Sequence, residues 1–147
     1  MRPAVDAYLA FSHRLAKSLA DPWEDDGMYP ADADFGPYST YPARDQYRRF
    51  VSVLRSEHLE FRGTPPESHL SVTTVDLDAQ PSPTVVLTDC QSGLDEWVAR
   101  DERTGRAHPA LTPNPGGDGL AVTVVREEGA WVVTTILPEE DSACPST

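Results

Sequence analysis

The sequence has no apolar run long enough to cross a lipid bilayer. Its longest mostly apolar stretch, residues 130–137, contains Thr134 and Thr135, whereas a membrane-spanning helix needs about 20 apolar residues. The N-terminus, Met1-Arg2-Pro3, continues directly into an amphipathic pattern and has no apolar segment of the kind found in signal peptides. We therefore expect no membrane insertion by this chain and no signal peptide within it.

Positive charge is also scarce. Lysine and arginine together number 12 against 24 aspartates and glutamates, which gives a formal net charge of −12. Nucleic-acid-binding proteins need clustered basic side chains to displace counterions from phosphates, and anionic membrane surfaces attract polybasic segments. The charge balance therefore argues against nucleic acid and against a membrane surface as partners.

Patterns that bind metals, phosphates or acyl groups are missing. The two cysteines are not in a C-x-x-C pair, and no two histidines have the spacing H-x-x-x-H, so we expect no metal site. The glycine-rich segment 116–119 lacks the Lys-Ser/Thr of a phosphate-binding loop, and the nucleophile motif G-x-S-x-G does not occur. The sequence predicts neither a metal nor a cofactor.

The two cysteines, Cys90 and Cys144, leave two arrangements open: two buried free thiols or one disulfide. Cys144 lies in a polar C-terminal tail that offers little apolar surface to bury a thiol. We favour the disulfide, which would close a long loop and stabilise the fold by about 4 kcal/mol. A disulfide would indicate an oxidising, extracytoplasmic compartment, whereas free thiols would indicate the cytoplasm.

The first part of the chain is patterned as helices. Apolar residues recur at helical spacing over residues 3–20, where Asp21-Pro22 ends the run, and again over residues 42–58. The segment between these helices has no sustained period and is dense in aromatic residues: Trp23, Tyr29, Phe35, Tyr38 and Tyr41. This density indicates a segment folded over the mouth of a cavity, or a surface that binds a partner.

The rest of the chain is patterned as strands. Period-two alternation and short apolar runs predict strands over residues 59–63, 70–77, 84–91, 94–100, 120–126 and 130–137. Glu127-Glu128-Gly129 predicts a hairpin between the last two. Short connections favour antiparallel pairing, with the helices on one face of the sheet. We predict an α+β fold in which N-terminal helices pack on a curved, mostly antiparallel five- to six-stranded sheet. It forms a single domain over 1–147, with a helical half over about 3–58, a sheet half over 59–137 and a tail over 138–147.

Several short motifs follow one another in this layout. They are Tyr8-Leu9-Ala10-Phe11, Leu59-Glu60-Phe61-Arg62-Gly63-Thr64-Pro65, Val86-Leu87-Thr88-Asp89-Cys90, Asp101-Glu102-Arg103-Thr104-Gly105, Val124-Val125-Arg126-Glu127-Glu128-Gly129-Ala130-Trp131-Val132-Val133, and Cys144 beyond the last strand. In order and spacing, over nearly the whole chain, they resemble the nuclear transport factor 2-like (SnoaL-like, cystatin-like) α+β cone. The resemblance is strongest to small actinobacterial exported or lipoprotein-type domains of unknown function.

The resemblance carries further expectations. It implies that Cys90 pairs with Cys144, and that a homodimer forms through the open face of the sheet. Two departures stand against it: the exported members have a leader, which is not found here, and the enzymatic SnoaL-like proteins have a glycine before the second helix where this chain has Tyr41-Pro42-Ala43-Arg44. The second departure counts against an enzyme.

Cone folds of this kind enclose a pocket between the helices and the sheet. Asp89 is the candidate acid/base because it lies in an otherwise apolar strand, where burial shifts a carboxyl pKa. The alternative is that it caps a turn or pairs with an arginine at the strand's end, since carboxylates are rarely buried unpaired. Four aromatic residues would line the pocket or form core: Tyr8, Tyr47, Trp97 and Trp131.

Two hypotheses about function follow. The first is a non-enzymatic binding or interaction domain, which would hold a small apolar ligand in the pocket or a protein partner on the sheet face. The second is a small SnoaL-like cyclase, isomerase or hydratase that acts on an apolar substrate with Asp89 as acid/base.

Overall fold

The computed structural model describes residues 1–22, 33–113, 119–139 and 144. Two helices precede six strands: α1 Arg2–Ala20, α2 Ala43–Ser56, β1 Leu59–Gly63, β2 Glu67–Asp76, β3 Thr84–Ser92, β4 Trp97–Asp101, β5 Gly119–Glu127 and β6 Ala130–Pro138. The predicted α+β fold, with N-terminal helices on an antiparallel sheet, is confirmed. Trp23 and Tyr29, which belong to the predicted aromatic segment, lie outside the described residues.

Helix α1 forms where the sequence repeats apolar residues every three or four positions. Its buried face consists of Ala4, Ala7, Tyr8, Phe11, Leu15, Ser18 and Leu19. Pro3 stands in the first turn, where its missing N–H costs no hydrogen bond. The helix ends as the N–H of Asp21 bonds to the carbonyl of Lys17, immediately before Pro22.

Helix α2 buries Tyr47, Val51 and Leu54 on one face. It ends at Ser56, before the predicted end at His58, because His58 has a left-handed backbone conformation with φ of 56°. The His58 imidazole lies 3.3 Å from a carboxylate oxygen of Glu102, next to the start of β1.

The strands form two antiparallel sheets: β1 pairs with β4, and the larger sheet has the order β2-β3-β5-β6. A single sheet was expected from the sequence, and the connection after β3 explains the difference. Gly93 has a left-handed φ of 78°, and residues Leu94–Glu96 form one 3₁₀ turn in place of the predicted start of a strand. The chain is thereby redirected, and β4 pairs with β1 instead of extending the larger sheet.

The main core lies between the helices and the inner face of the larger sheet. Val85, Leu87, Val122, Val124 and Val133 on this face are fully buried. On the helical side, Phe11 packs edge-to-face against Phe35 and Tyr47, with ring centroids 5.6 Å apart in both pairs. Each such buried side chain contributes roughly 1.5–3 kcal/mol through the hydrophobic effect.

Cys90 and Cys144 form a disulfide, with their Cα atoms 5.5 Å apart. The predicted bridge is therefore confirmed. Cys90 lies next to the buried Asp89, and because strand residues alternate between faces, its side chain points to the outer face of the sheet. Its neighbour on β5 is Gly119, which has no side chain beside the bridge.

Among the described residues, no helix is both long enough and apolar enough to span a membrane.

Reduction of the disulfide is expected to lower the free energy of unfolding by about 4 kcal/mol, because the bridge closes a loop with a sequence separation of 54 residues. Urea unfolding with and without a phosphine reductant measures this difference. The Cys90→Ser/Cys144→Ser double variant is the control, and its unfolding midpoint should not respond to the reductant. An unchanged wild-type midpoint, at a reductant concentration where both thiols can be titrated, would contradict the expectation.

Gly63→Ala is expected to destabilise the protein by about 2–3 kcal/mol. Gly63 has φ of +110°, and a Cβ atom there would lie 1.9 Å from the carbonyl oxygen of Glu96, which also accepts the N–H of Thr64. Gly129→Ala is the matched control, since φ is +83° but nothing lies within 4 Å, so only the conformational cost of about 1 kcal/mol applies. Equal losses of stability in the two variants would show that the close approach at Gly63 is not significant.

Candidate functional site

A cavity of about 500 Å³ lies between α1, the β1–β4 sheet and one end of the larger sheet. This is within the usual range for small-molecule sites, roughly 300–1,000 Å³. Helix α1 supplies one wall, and residues after β1, before β4 and after β4 supply the rim. The lining residues are Tyr8, Phe11, Ser12, Leu15, Ala16, Leu19, Tyr47, Phe61, Pro65, Pro66, Ser68, Gln91, Leu94, Asp95, Trp97, Val98, Pro109, Leu111, Thr112, Pro113, Leu120 and Ile136.

The cavity lies where the side chains on one face of α1 become small. Tyr8, Ser12 and Ala16 follow one another at i, i+4 spacing and therefore share a face of the helix. Tyr8 reaches the sheet, whereas the small side chains of Ser12 and Ala16 leave space one and two turns further on. This space is what the lining residues enclose.

The lining is mostly apolar and contains little charge. Among the described residues that line the cavity there is no lysine, arginine or histidine, and the one acidic residue is Asp95, on the exposed side. Phe61 and Trp97 form an aromatic wall with ring centroids 5.6 Å apart. A flat or aliphatic molecule fits such walls better than a charged anion does.

A buried polar network closes the inner end of the cavity. The Tyr8 hydroxyl donates to Asp89 Oδ2 at 2.5 Å, and the Ser68 hydroxyl donates to the same oxygen at 2.9 Å. The Gln91 amide nitrogen lies 3.5 Å from it. Three separate elements, α1, β2 and β3, therefore meet at one carboxylate.

Asp89 is fully buried because of its position in β3. It shares the inner face with Val85 and Leu87, and its cross-strand neighbours are Leu70 on β2 and Leu120 on β5. An apolar layer thus surrounds the carboxylate, and its hydrogen bonds come from neutral donors.

Burial raises the pKa of Tyr8 well above its ordinary value, and the negative charge and hydrogen bond of Asp89 raise it further. Burial alone also raises the pKa of Tyr47. Both phenols therefore stay protonated at neutral pH. For Tyr8 this means that its hydroxyl acts as a donor to Asp89 and not as a base.

Two buried acceptors in the network have no hydrogen-bond partner among the described residues. They are Oδ1 of Asp89 and Oε1 of Gln91. Buried polar atoms in folded proteins are nearly always paired. Both atoms are closed to solvent, so the network holds two acceptors for which the described residues provide no donor.

Of the four aromatic residues predicted for the pocket, the structure places three in the lining of the cavity and one outside it. Tyr8, Tyr47 and Trp97 line the cavity. Trp131 lies at the hairpin end of β6 opposite Arg126, half-buried against the core, and Ile136 at the other end of β6 lines the cavity in its place.

Asp89 faces inward but does not itself line the cavity, because Tyr8, Ser68 and Gln91 cover it. Among the described residues it has no arginine partner, so the alternative in which an arginine pairs with it is wrong.

Ser68 and Gln91 were not identified from the sequence. Gln91 could have been identified, since side chains two positions apart in a strand share a face and Gln91 is two residues after Asp89. Ser68 depends on the register of β2 against β3, where it stands opposite Gln91. It also precedes the predicted start of that strand.

A second surface lies on β2, an edge strand of the larger sheet. Val72 and Val75 on this strand are 42% and 48% exposed, and Leu77, just after it, is 55% exposed. In the part of the chain that the structure describes, no group of three or more His, Cys, Asp or Glu side chains is placed to hold a metal ion.

Fold and site together define an α+β domain with a ligand-sized apolar cavity. The fold is similar to the crystal structure of the intermembrane space region of the chloroplast protein ARC6, with a TM-score of 0.58 and 12% sequence identity over 94% of this chain and 96% of that chain. At this identity the likeness concerns the fold alone. No protein-family model matches the chain, and no curated protein matches its sequence.

The raised pKa values predict alkaline sensitivity. Above about pH 10, tyrosines ionise in the unfolded chain while Tyr8 and Tyr47 stay protonated in the folded one. The stabilisation is thus complete below pH 10 and is lost as pH rises, by up to about 1.4 kcal/mol per pH unit for each tyrosine.

Urea unfolding of Tyr8→Phe across this pH range tests whether the buried Tyr8 hydroxyl causes part of this loss of stability. The variant should be less stable at neutral pH, because Asp89 loses a donor, but its stability should fall less steeply above pH 10. Parallel curves for the wild type and the variant would contradict the assignment.

Proposed function

We propose that this chain is a non-enzymatic binding domain that takes a small, mostly apolar ligand into the cavity beside α1. The observation that carries the proposal is the cavity of about 500 Å³ with apolar walls and one buried polar end. Ligand sites of this kind combine hydrophobic and aromatic walls with a few polar groups that fix orientation. Here the network around Asp89 supplies those groups.

The aromatic residues support binding because they shape the walls of the cavity. Trp97 is half-buried and lines it, so part of this ring is open to a ligand. Tyr8 and Tyr47 also line it but are closely packed, so they form its floor.

The alternative function, a small cyclase, isomerase or hydratase, requires Asp89 to exchange a proton with a substrate. Tyr8, Ser68 and Gln91 lie between its carboxylate and the cavity. A general base must come within hydrogen-bonding reach of the proton that it removes. The covered position of Asp89 therefore favours binding over catalysis.

We also propose that the domain acts in an extracytoplasmic compartment and belongs to the nuclear transport factor 2-like group. The Cys90–Cys144 disulfide supports the first part, since such bonds persist in oxidising environments. Two helices packed on antiparallel strands support the second. The exposed apolar residues Val72 and Val75 of β2 form a second candidate binding surface. Its partner would be another protein or a second copy of the chain.

Titration with Nile red, a neutral apolar dye whose emission rises in apolar surroundings, tests the cavity. The wild type should bind it saturably. Ala16→Trp fills the cavity from α1 and should weaken binding roughly tenfold or more. Ala20→Trp is the matched control, because Ala20 is exposed on the same helix and is not a lining residue.

Circular dichroism and the unfolding midpoint would establish that both tryptophan variants are folded. Absence of saturable binding to the wild type, or equal binding by the two folded variants, would refute the proposed pocket.

A further inference from the structure

We propose that the free edge of β2 binds an extended segment of another protein, which adds to the larger sheet as a further strand and carries apolar side chains flanked by basic ones. This inference rests on the second binding surface of the proposed function and is independent of the cavity. It specifies the conformation and the charge of the partner.

Strand β2 has an unpaired edge. It is the first strand in the order β2-β3-β5-β6, and among the described residues it pairs with β3 alone. The opposite edge, β6, is partly covered, since the N–H of Thr40 donates to the carbonyl of Val133. An edge strand presents a row of main-chain N–H and C=O groups to which a further strand can bind. Short edge strands prevent such pairing, whereas β2 has 10 residues.

The register of β2 puts two valines on one face. A β-bulge lies between Val72 and Thr74. Val72 therefore stands opposite Leu87 and Val75 opposite Val85, and both of these partners are fully buried residues of the inner face. Without the bulge, two residues three positions apart would point to opposite faces. The bulge thus directs both valines to the side of the sheet on which the helices pack.

The helices leave this part of the inner face open. They pack on β1, β5 and β6, whereas β2, in the part of the chain that the structure describes, has extensive contacts with β3 only. Val72 and Val75 remain exposed although their cross-strand partners are fully buried. The hydrophobic core therefore ends in an uncovered apolar strip. An added strand would cover these valines with its own side chains and pair with the edge at the same time.

Charge determines which segment fits. Residues 63–99 contain six acidic residues and no lysine or arginine. Glu67 stands at one end of β2 and Asp76 at the other, followed by Asp78, and the residues between Glu67 and Asp76 include no acidic side chain. A segment with lysine or arginine at both ends would therefore meet opposite charges at both ends of the strand, and its uncharged centre would meet the uncharged centre of β2.

A second copy of the chain fits this edge less well. Antiparallel pairing of two β2 strands along their length would bring Glu67 of each copy toward Asp76 and Asp78 of the other. Like charges that face each other across two strands are destabilising, and a net charge of −12 on each copy adds to the repulsion. The charges therefore favour a basic segment of a different protein.

The test uses three peptides with blocked ends: Lys-Val-Thr-Val-Thr-Val-Lys, the same peptide with glutamate in place of both lysines, and the basic peptide methylated on every main-chain nitrogen between the lysines. Each is titrated into the isotope-labelled full chain by NMR at neutral pH. The basic peptide should shift the amide resonances of residues 67–76. It should bind about tenfold or more tightly than the acidic one, because attractions replace repulsions at both ends. The methylated peptide should bind more weakly than its parent, since it cannot donate main-chain hydrogen bonds to the edge.

A pair of variants locates the binding. Val72→Lys puts a charge on the apolar strip at the edge and should weaken binding of the basic peptide about tenfold or more. Val53→Lys is the matched control, because Val53 on α2 is also 42% exposed and the change in net charge is the same. It should bind the basic peptide nearly as the wild type does. Circular dichroism and the unfolding midpoint would establish that both variants are folded.

The outcomes separate this inference from the cavity proposal. The inference is wrong if the basic peptide fails to bind the folded wild type, if the acidic peptide binds equally well, or if the two lysine variants bind alike. Displacement of Nile red by the basic peptide would place it in the cavity and overturn the inference as well. Sedimentation of the protein alone tests the second copy: a dimer that Val72→Lys dissociates and Val53→Lys retains would assign the edge to self-association. Saturable binding of Nile red decides the cavity proposal whichever of these results is obtained.

Discussion

The hydrogen bond from the Tyr8 hydroxyl to the Asp89 carboxylate is the interaction on which this structure depends. It joins the first helix to the middle of the larger sheet across 81 positions of sequence. Neither partner is tolerable alone at this depth, because a buried phenol without an acceptor and a buried carboxylate without a donor each cost more than one hydrogen bond contributes. Folding therefore has to bring α1 onto β3 in one register. The apolar contacts of the core favour packing of α1 on the sheet, and the Tyr8–Asp89 pair selects the position in which both polar groups are satisfied.

That constraint also shapes the cavity. With Tyr8 anchored on Asp89, the next residues on the same face of α1 are Ser12 and Ala16, whose side chains are too short to reach the sheet. Helix and sheet are held at the distance that a tyrosine requires, and smaller residues follow along the same line. The cavity is thus the space that remains between α1 and the sheets where Tyr8 is followed by the smaller residues Ser12 and Ala16. Tyr8 contributes to both parts of the cavity, since its ring lines the wall and its hydroxyl belongs to the polar end.

The sequence predicts what depends on local periodicity and misses what depends on pairing at a distance. Helix α1, strand β1 and the last hairpin are found within a residue or two, because spacing of 3.6 or 2 is visible along the chain. The division into two sheets is not visible, since the pairing of β1 with β4 joins segments that are far apart in sequence. Asp89 is identified as unusual in its apolar strand, but its covering by Ser68 depends on the register of β2. A cavity is a deficit of volume among several elements, and no pattern within one element predicts it.

Three successive residues of β3 combine the two features that characterise this domain. Asp89 and Gln91 face inward, where Gln91 lines the polar end of the cavity and Asp89 lies behind it, whereas Cys90 between them faces outward and is bonded to Cys144. Because strand residues alternate, the outer anchor and the inner acceptors share one short piece of backbone. A displacement of that backbone moves both acceptors relative to Tyr8 and Ser68. The bridge is therefore attached to the same piece of backbone whose position sets the geometry of the polar end. The disulfide, the buried carboxylate and the polar end of the cavity thus depend on three consecutive residues of β3.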